Sequence, residues 1–399
     1  MNQLPVTLYS GELFDNNSAV ICPEKPAHLP AIWAFCSSRE FYDRVRDIDQ
    51  QVKVTNSTLV KVPFDLEHWQ KVATEKYPDG LPKPFSSDPT QWLFNGHPAG
   101  ADQPLQVAVA RLLGYQWPRQ TGSSFPDCPA LTPDGIEAHV DEDGIVCLSA
   151  VRGERTAGER LRTLLSAALG KYDEHALIAA TESKSKSLDD WLRDDFFAQH
   201  CGLFHSRPFI WHIWDGLTDG FHALVNYHKL AGPNGAGRKL LETLTFSYLG
   251  DWIKKQRDES KKPGAEDRLI AAETLQAELK AILAGEPPYD LFVRWKPLHA
   301  QPIGWEPDIN DGVRLNIRPF LLAKDVARKG AGILRFKPTV KWDKDRGKEP
   351  ERLKADFPWF WTWDEATTDF PGGSAFDGNR WNDCHYTSAS KRAARERQS

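Results

Sequence analysis

One stretch, residues 204–230 (FHSRPFIWHIWDGLTDGFHALVNYHKL), constrains the chain more than any other. Two segments of strong β-propensity, 208–214 and 221–227, flank Asp215-Gly216-Leu217-Thr218-Asp219-Gly220, and the two Asp-Gly pairs supply the positive φ a reversing chain needs. The spacing predicts a β-hairpin with a loop of about six residues. In the first strand Phe209, Trp211 and Ile213 alternate with Ile210, His212 and Trp214, so neither face is plainly polar and both must be covered. An interior hairpin is expected, with its aromatic residues in the core. His212, His222 and His228 have two readings: core histidines satisfied by hydrogen bonds, or base contacts. On the second reading the candidate contacts here are Arg207, His212, Asn226 and His228.

The 399 residues suffice for two or three cores, and 15 Trp mark a folded chain. Cys22, Cys36, Cys128, Cys147, Cys201 and Cys384 form no C-x-x-C pair and no zinc-finger spacing, which predicts reduced thiols and no metal. A polar start and the absence of any apolar run of about 18 residues predict a cytoplasmic protein without a membrane partner. Net charge is −5, which argues against a non-specific nucleic-acid binder, yet residues 313–355 hold 13 Lys/Arg against 5 Asp/Glu, a net +8 on a remainder of −13. Such a segment can grip phosphates locally while the acidic body repels wrong placements.

Taken in order, 6–22 predicts two short strands around Asn16-Asn17. A helix capped by Ser38 follows, with Phe41, Val45 and Ile48 on one face, and then a strand at 58–62 closed by Pro63. An irregular Pro/Gly/Trp-rich layer is expected over 63–133, interrupted by a helix at 104–113 with Leu105, Val109, Leu112 and Leu113 on one side. Residues 135–148 predict a hairpin turning at Asp141-Glu142-Asp143-Gly144. Helices are expected at 156–169 and 187–199, the second capped by Ser187, with Ser183-Lys184-Ser185-Lys186 as a hinge-like linker. Leu240, Leu244, Tyr248 and Trp252, then Leu275, Leu279 and Leu283 past Lys261-Lys262-Pro263-Gly264, predict two antiparallel amphipathic helices. The tail Lys391–Arg397 is expected to be a fraying, solvated helix.

Two motifs fail on their own terms. Gly232-Pro233-Asn234-Gly235-Ala236-Gly237-Arg238-Lys239 resembles a phosphate-binding loop, but its lysine is one place late and Leu240 stands where a hydroxyl should hold magnesium. Glu286-Pro287-Pro288-Tyr289 resembles the (Asp/Asn)-Pro-Pro-(Tyr/Phe) motif of amino-methyltransferases, but Glu is one methylene too long and the motif follows a predicted helix. Helix termination accounts for it. Basic and aromatic residues are interleaved in the C-terminal part. Arg314, Asn316 and Arg318 alternate in a strand-like run, and Arg335, Lys337, Lys341, Lys344 and Arg346 surround Phe336 and Trp342. Arg reads guanine edges, Asn adenine edges, and Lys grips phosphate; a solvated charged face is the alternative. A Gly/Asn-rich loop adds Asn379, Arg380, Asn382 and His385 as candidate contacts.

The hairpin stretch, its lead-in SLDDWLRDDFF (187–197) and GWEPDINDGVRLNI (304–317) together resemble the C-terminal half of large adenine-specific DNA methyltransferases, the single-chain type IIG restriction-modification and BREX-type phage-defence enzymes. The likeness spans about Leu29 to His385. It implies an α+β, multi-lobed fold: an α/β target-recognition-like module at 1–150, a helical connector at 151–200, the hairpin with a helical spacer at 201–300, and a basic DNA-contacting segment at 301–399. It also implies double-stranded DNA and a methyltransferase catalytic lobe or subunit as partners. S-adenosylmethionine would belong to that lobe, since no Rossmann-like cofactor lobe, cofactor loop or catalytic residue is found in this chain. The expected function is sequence recognition for N6-adenine methylation; the alternative is a non-enzymatic protein-interaction component of a phage-defence complex.

Overall fold

The structure is a computed structural model and describes residues 4, 6, 8, 19–51, 54–78, 81, 96–117, 121, 133–293, 296–340 and 385–398. Its contacts divide the chain into two units, Met1–Asp88 with Ser123–Pro129, and Pro89–Gly122 with Ala130–Ser399. The class is α+β: the described residues form many helices and one three-stranded antiparallel sheet. No helix among the described residues is long and apolar enough to cross a membrane.

The first unit is built of helices. Ser38 caps the helix Arg39–Ile48 by accepting from the Phe41 N–H at 3.1 Å, and Phe41 and Val45 are buried while Ile48 is exposed. Phe35 gathers Phe41, Phe64 and Trp69 around it, each ring centroid 5.2 Å away. The strand expected at 58–62 is instead the end of a short helix, Asn56–Leu59. Here hydroxyls override β-propensity: Thr55 bonds Ser57 and Thr58, and Thr58 donates to Asp49 at 2.8 Å. The strands expected over 6–22 fall largely outside the described residues.

In the second unit the sheet is β1 (Ile145–Cys147), β2 (Ile210–Trp214) and β3 (His222–Asn226), in the order β1-β3-β2. The register pairs His212 with Leu224 and Trp214 with His222. All ten strand residues of the hairpin are buried, so the hairpin is interior as expected. Phe197 covers one face, edge-on to His212, and Phe320 covers the other, edge-on to Trp211. The expected hairpin at 135–148 does not form. Asp141 does build the turn, accepting from the Gly144 and Ile145 N–H groups, but the strand that follows takes β3 as its partner, pairing Ile145 with Val225, while Glu137–His139 is a 3-10 turn. A three-residue strand finds more ladder partners beside a longer buried strand than beside a turn.

The helix Pro104–Leu112 is buried all round rather than on one side, Arg111 included. Arg111 forms a two-pronged ion pair with Asp134 at 2.6 and 3.0 Å and donates to the Gly96 carbonyl. The expected helix 187–199 is two helices, Leu188–Asp194 and Phe196–Leu203, joined at Asp195. The Asp195 carboxylate accepts from Ser183 and Ser185, so the linker read as a hinge is tied down.

After the hairpin, residues 236–258 run as one helix with a π turn, Thr243–Tyr248, in its middle. A stripe at every fourth residue drifts around an α-helix of 3.6 residues per turn; the wider π turn brings Leu244, Tyr248 and Trp252 back to one buried side. The antiparallel partner Ala265–Ala284 buries Leu275, Leu279 and Leu283 in the same core as the sheet. This helical hairpin closes the core.

Candidate nucleic-acid interface

The outer edge of the sheet carries the candidate surface. Residues 333–339 lie beside β2, antiparallel to it: the Trp214 N–H donates to the Ile333 carbonyl at 3.1 Å, the Arg335 N–H to the His212 carbonyl at 3.0 Å, and the Thr339 N–H to Ser206 Oγ at 3.0 Å. This ribbon brings Lys337 next to the 206–207 corner, and both Arg207 and Lys337 are exposed. Before it, the loop Lys324–Gly332 presents Lys324, Arg328 and Lys329 to solvent. Arg328 lies over the Phe336 ring at 4.9 Å, and the Lys337 amine sits 2.5 Å from where a side chain on Gly330 would begin. Arg207, Lys324, Arg328, Lys329 and Lys337 make no ion pair among the described residues. Arg335 is different. Its guanidinium stacks on Trp214 at 4.4 Å, pairs with Asp194 at 3.0 Å and donates to the Arg193 carbonyl, so it fastens the ribbon to the body.

Of the other predicted contacts, His212, Asn226, Asn316, Arg318 and His385 are buried. Arg314, Asn316 and Arg318 do not alternate on a strand: Val313–Asn316 and Arg318–Leu322 are short helices, with Pro319 at the start of the second. Helical spacing sends the three residues to different surroundings. Asn316 is buried, donating to Tyr227 Oη at 2.8 Å and the Asp308 carbonyl at 2.9 Å; Arg318 is buried; Arg314 is half-buried and donates to the His205 carbonyl. Asn226 is buried, its amide donating to the Leu113 carbonyl while its oxygen caps the next helix through the Lys229 N–H. His228 is exposed, its ring edge-on to Tyr115. Lys341, Lys344, Arg346, Asn379, Arg380 and Asn382 lie outside the described residues.

His212 is fully buried, and its bonding fixes its tautomer. His222 Nε2 meets the Leu217 carbonyl at 2.9 Å and must donate to it, so His222 Nδ1 is a bare acceptor. His212 Nε2, 3.0 Å from that nitrogen, therefore carries the proton, and His212 Nδ1 is buried with no hydrogen-bond partner among the described residues. Burial pushes both imidazoles down, His222 to about 4 and His212 well below the usual histidine range. His200 is held the same way: Nε2 accepts from the Phe209 and Ile210 N–H groups, Nδ1 faces Gln106, and burial brings it to about 3. None of the three reaches the protein surface.

His385 joins a buried polar knot. Its Nδ1 bonds Asp290 Oδ1, and its Nε2 faces an Arg318 N–H at 3.3 Å, which places the ring proton on Nδ1. Asp290 also accepts from the Tyr386 N–H, and the fully buried Lys391 amine reaches it at 3.5 Å while donating to the Pro302 carbonyl at 2.6 Å. Burial pushes the Asp290 carboxyl up, but the His385 hydrogen bond and the nearby cations hold it below its ordinary range. Lys391 was expected in a solvated, fraying helix. Instead Ser388–Glu396 is docked, because a carboxylate buried at Asp290 requires a countercharge beside it. The dyad resembles an Asp–His pair of a hydrolase, but the nitrogen that would act as base is occupied by Arg318.

Among the described residues, neither the Glu286–Tyr289 stretch nor the Gly232 turn has the strand-to-loop setting that S-adenosylmethionine chemistry would need. Glu286–Tyr289 follows the helix Ala265–Ala284, terminated by Gly285 at φ 64°, and Glu286 accepts from the Ser388 N–H. A one-turn helix, Tyr227–Leu230, separates the Gly232 turn from β3. Among the described residues no cluster of His, Cys, Asp and Glu is placed to hold a metal ion. Compared with protein-family models and with curated proteins, the chain matches none.

Three residues of the exposed surface, Lys324, Arg328 and Lys329, were not singled out from the sequence. The signal was Arg-Lys-Gly-Ala-Gly directly before an apolar pair, a cationic turn leading into a ribbon.

Proposed function

We propose that this chain is the DNA-contacting, non-catalytic portion of a site-specific adenine-N6 DNA methyltransferase, working with a separate catalytic lobe that carries the methyl donor. The observation that carries the DNA part of this reading is the set of exposed cations Arg207, Arg328, Lys329 and Lys337 on and beside the ribbon along β2, which make no ion pair among the described residues, continued in sequence by Lys341, Lys344 and Arg346. A duplex that meets them releases condensed counterions, so affinity falls steeply with salt. The link to methylation rests on the sequence resemblance.

The test is duplex binding by the full chain across a salt series. The expected result is weak binding at low salt with log affinity falling linearly in log salt. Absence of binding at low salt, or a flat response, overturns the DNA reading and leaves protein partners as the use of this surface. Methylation is tested separately, by adding candidate catalytic subunits and looking for N6-methyladenine that depends on this chain.

A further inference from the structure

The loop 325–332 holds an anion of its own. Asp325 Oδ1 accepts from the Gly330 N–H at 3.0 Å and from the Gly332 N–H at 2.9 Å, and Oδ2 shares the Gly330 N–H at 2.9 Å. Gly330 and Gly332 reach this geometry with φ of 74° and 58°, so the two amides on either side of Ala331 converge on one carboxylate, as in an anion-binding nest, while the Ala331 N–H donates to the Arg328 carbonyl. The Gly330 and Gly332 hydrogen bonds, with the Lys337 and Lys329 charges, hold that carboxyl below its ordinary range. The loop is fixed from below. The Val326 N–H closes it onto the Gly332 carbonyl, the Ile333 N–H donates to the Phe320 carbonyl, and the Val326 carbonyl oxygen lies 2.6 Å from where a side chain on Gly216 would begin. Residues 324–337 carry five Lys/Arg and one acid, and that acid sits in the nest.

Resting on the DNA reading above, we infer that this loop is a phosphate-contacting point, with Lys329 and Lys337 as its cations, and that Asp325 is a built-in competitor that shapes the loop while limiting affinity. A phosphodiester approaching the two amines meets the Asp325 charge at close range, and like charge opposes it. Asp325 thereby does two things at once: it orders the amides, and it keeps the loop from gripping any phosphate indiscriminately.

The test is Asp325→Asn, which removes the charge and keeps an oxygen where Oδ1 now takes both glycine N–H groups. The variant should melt like the parent and bind duplex DNA roughly threefold or more tightly at low salt, with a salt slope steeper by about one. Adding Lys329→Ala and Lys337→Ala should abolish that gain. An Asp325→Asn protein that melts normally yet binds no more tightly overturns the inference. If Asp325→Asn fails to fold, Lys329→Ala and Lys337→Ala in the parent decide the matter: each should weaken binding several-fold, and unchanged affinity overturns the proposal. Titration with inorganic phosphate, followed at the Gly330 and Gly332 amides, separates the two layers. Shifts there in a protein that binds no DNA keep the loop as an anion site and overturn only the DNA reading; a loop silent to both phosphate and DNA overturns the inference itself.

Discussion

The knot around Asp290 and the ribbon beside β2 use the same side chains to opposite ends. In the knot, Asp290, His385, Arg318 and Lys391 are all buried, and Lys391 and Asp290 are fully so. On the ribbon Lys337, and beside it Arg207, Arg328 and Lys329, stand in water. Desolvation makes the difference: a buried charge must be paired and hydrogen-bonded, so the knot fixes chain geometry, whereas an exposed cation loses little by exchanging water for a phosphate. The hairpin interior resembles the knot in this respect, with buried His212 and His222 in it and His200 packed beside it, His212 being only half-satisfied.

Acid should break the buried side first. His200, His212 and His222 have depressed folded-state values, so as pH falls below about 6.5 the unfolded chain takes up protons that the native one refuses. Stability is present above that pH and drains below it, by about 1.4 kcal/mol per pH unit for each imidazole. Asp215 acts in the opposite sense between about pH 4 and 6, but it is one group against three. A net loss of about 3 kcal/mol per pH unit is expected, measured by urea unfolding at pH 7, 6 and 5; equal stability at all three would contradict the buried, neutral imidazoles.

Lys391→Ala sharpens the comparison from the knot. It leaves Asp290 buried without its amine and should cost about 3–5 kcal/mol, read from a denaturation curve, while the salt slope of DNA binding stays as it was. A loss below 1 kcal/mol would mean that the last helix is not docked through this pair.

Asp215 is the next step down. Burial raises its carboxyl to about 6 although Leu217 and Phe221 donate their N–H groups to it. Its folded value lies above its unfolded one, so its contribution is complete below about pH 4 and is lost as pH rises through 6. That amounts to about 3 kcal/mol, visible as the pH dependence that Asp215→Asn removes. A parallel pair of stability profiles for the parent and the variant would show Asp215 to be ionised throughout.

Smallest in stability are the ribbon variants. Arg328→Ala and Lys337→Ala should each change stability by no more than about 0.5 kcal/mol and lower the salt slope of duplex binding by about one. Early melting would place these cations with the knot instead.

How legible each region was follows from the range of the forces involved. The interior hairpin, its Asp-Gly reversal, the Ser38, Thr156 and Ser187 helix starts and the helical hairpin of 236–284 were readable, since caps, turns and periodicity act over a few residues. At 58–62 and 313–318 local appearance misled. Thr58 found Asp49, and Pro319 opened a helix where alternating polar residues suggested a strand. The candidate contacts were legible as residue types only. Arg207 and Lys337 came out exposed, His212, Asn226, Asn316, Arg318 and His385 came out buried, and nothing in their neighbours in sequence separates the two groups.

Sequence alone determined that the chain folds around a buried aromatic hairpin and that its positive charge is concentrated after residue 313, because β-propensity, turn chemistry and charge are properties of short segments. Tertiary structure alone decided which charges face water. Asp290 meets Lys391 across 101 residues and His385 across 95, and the 333–339 ribbon finds β2 from more than a hundred residues away. Burial is a property of such long-range meetings, and burial decides whether an arginine or histidine holds the fold together or remains free to hold a partner.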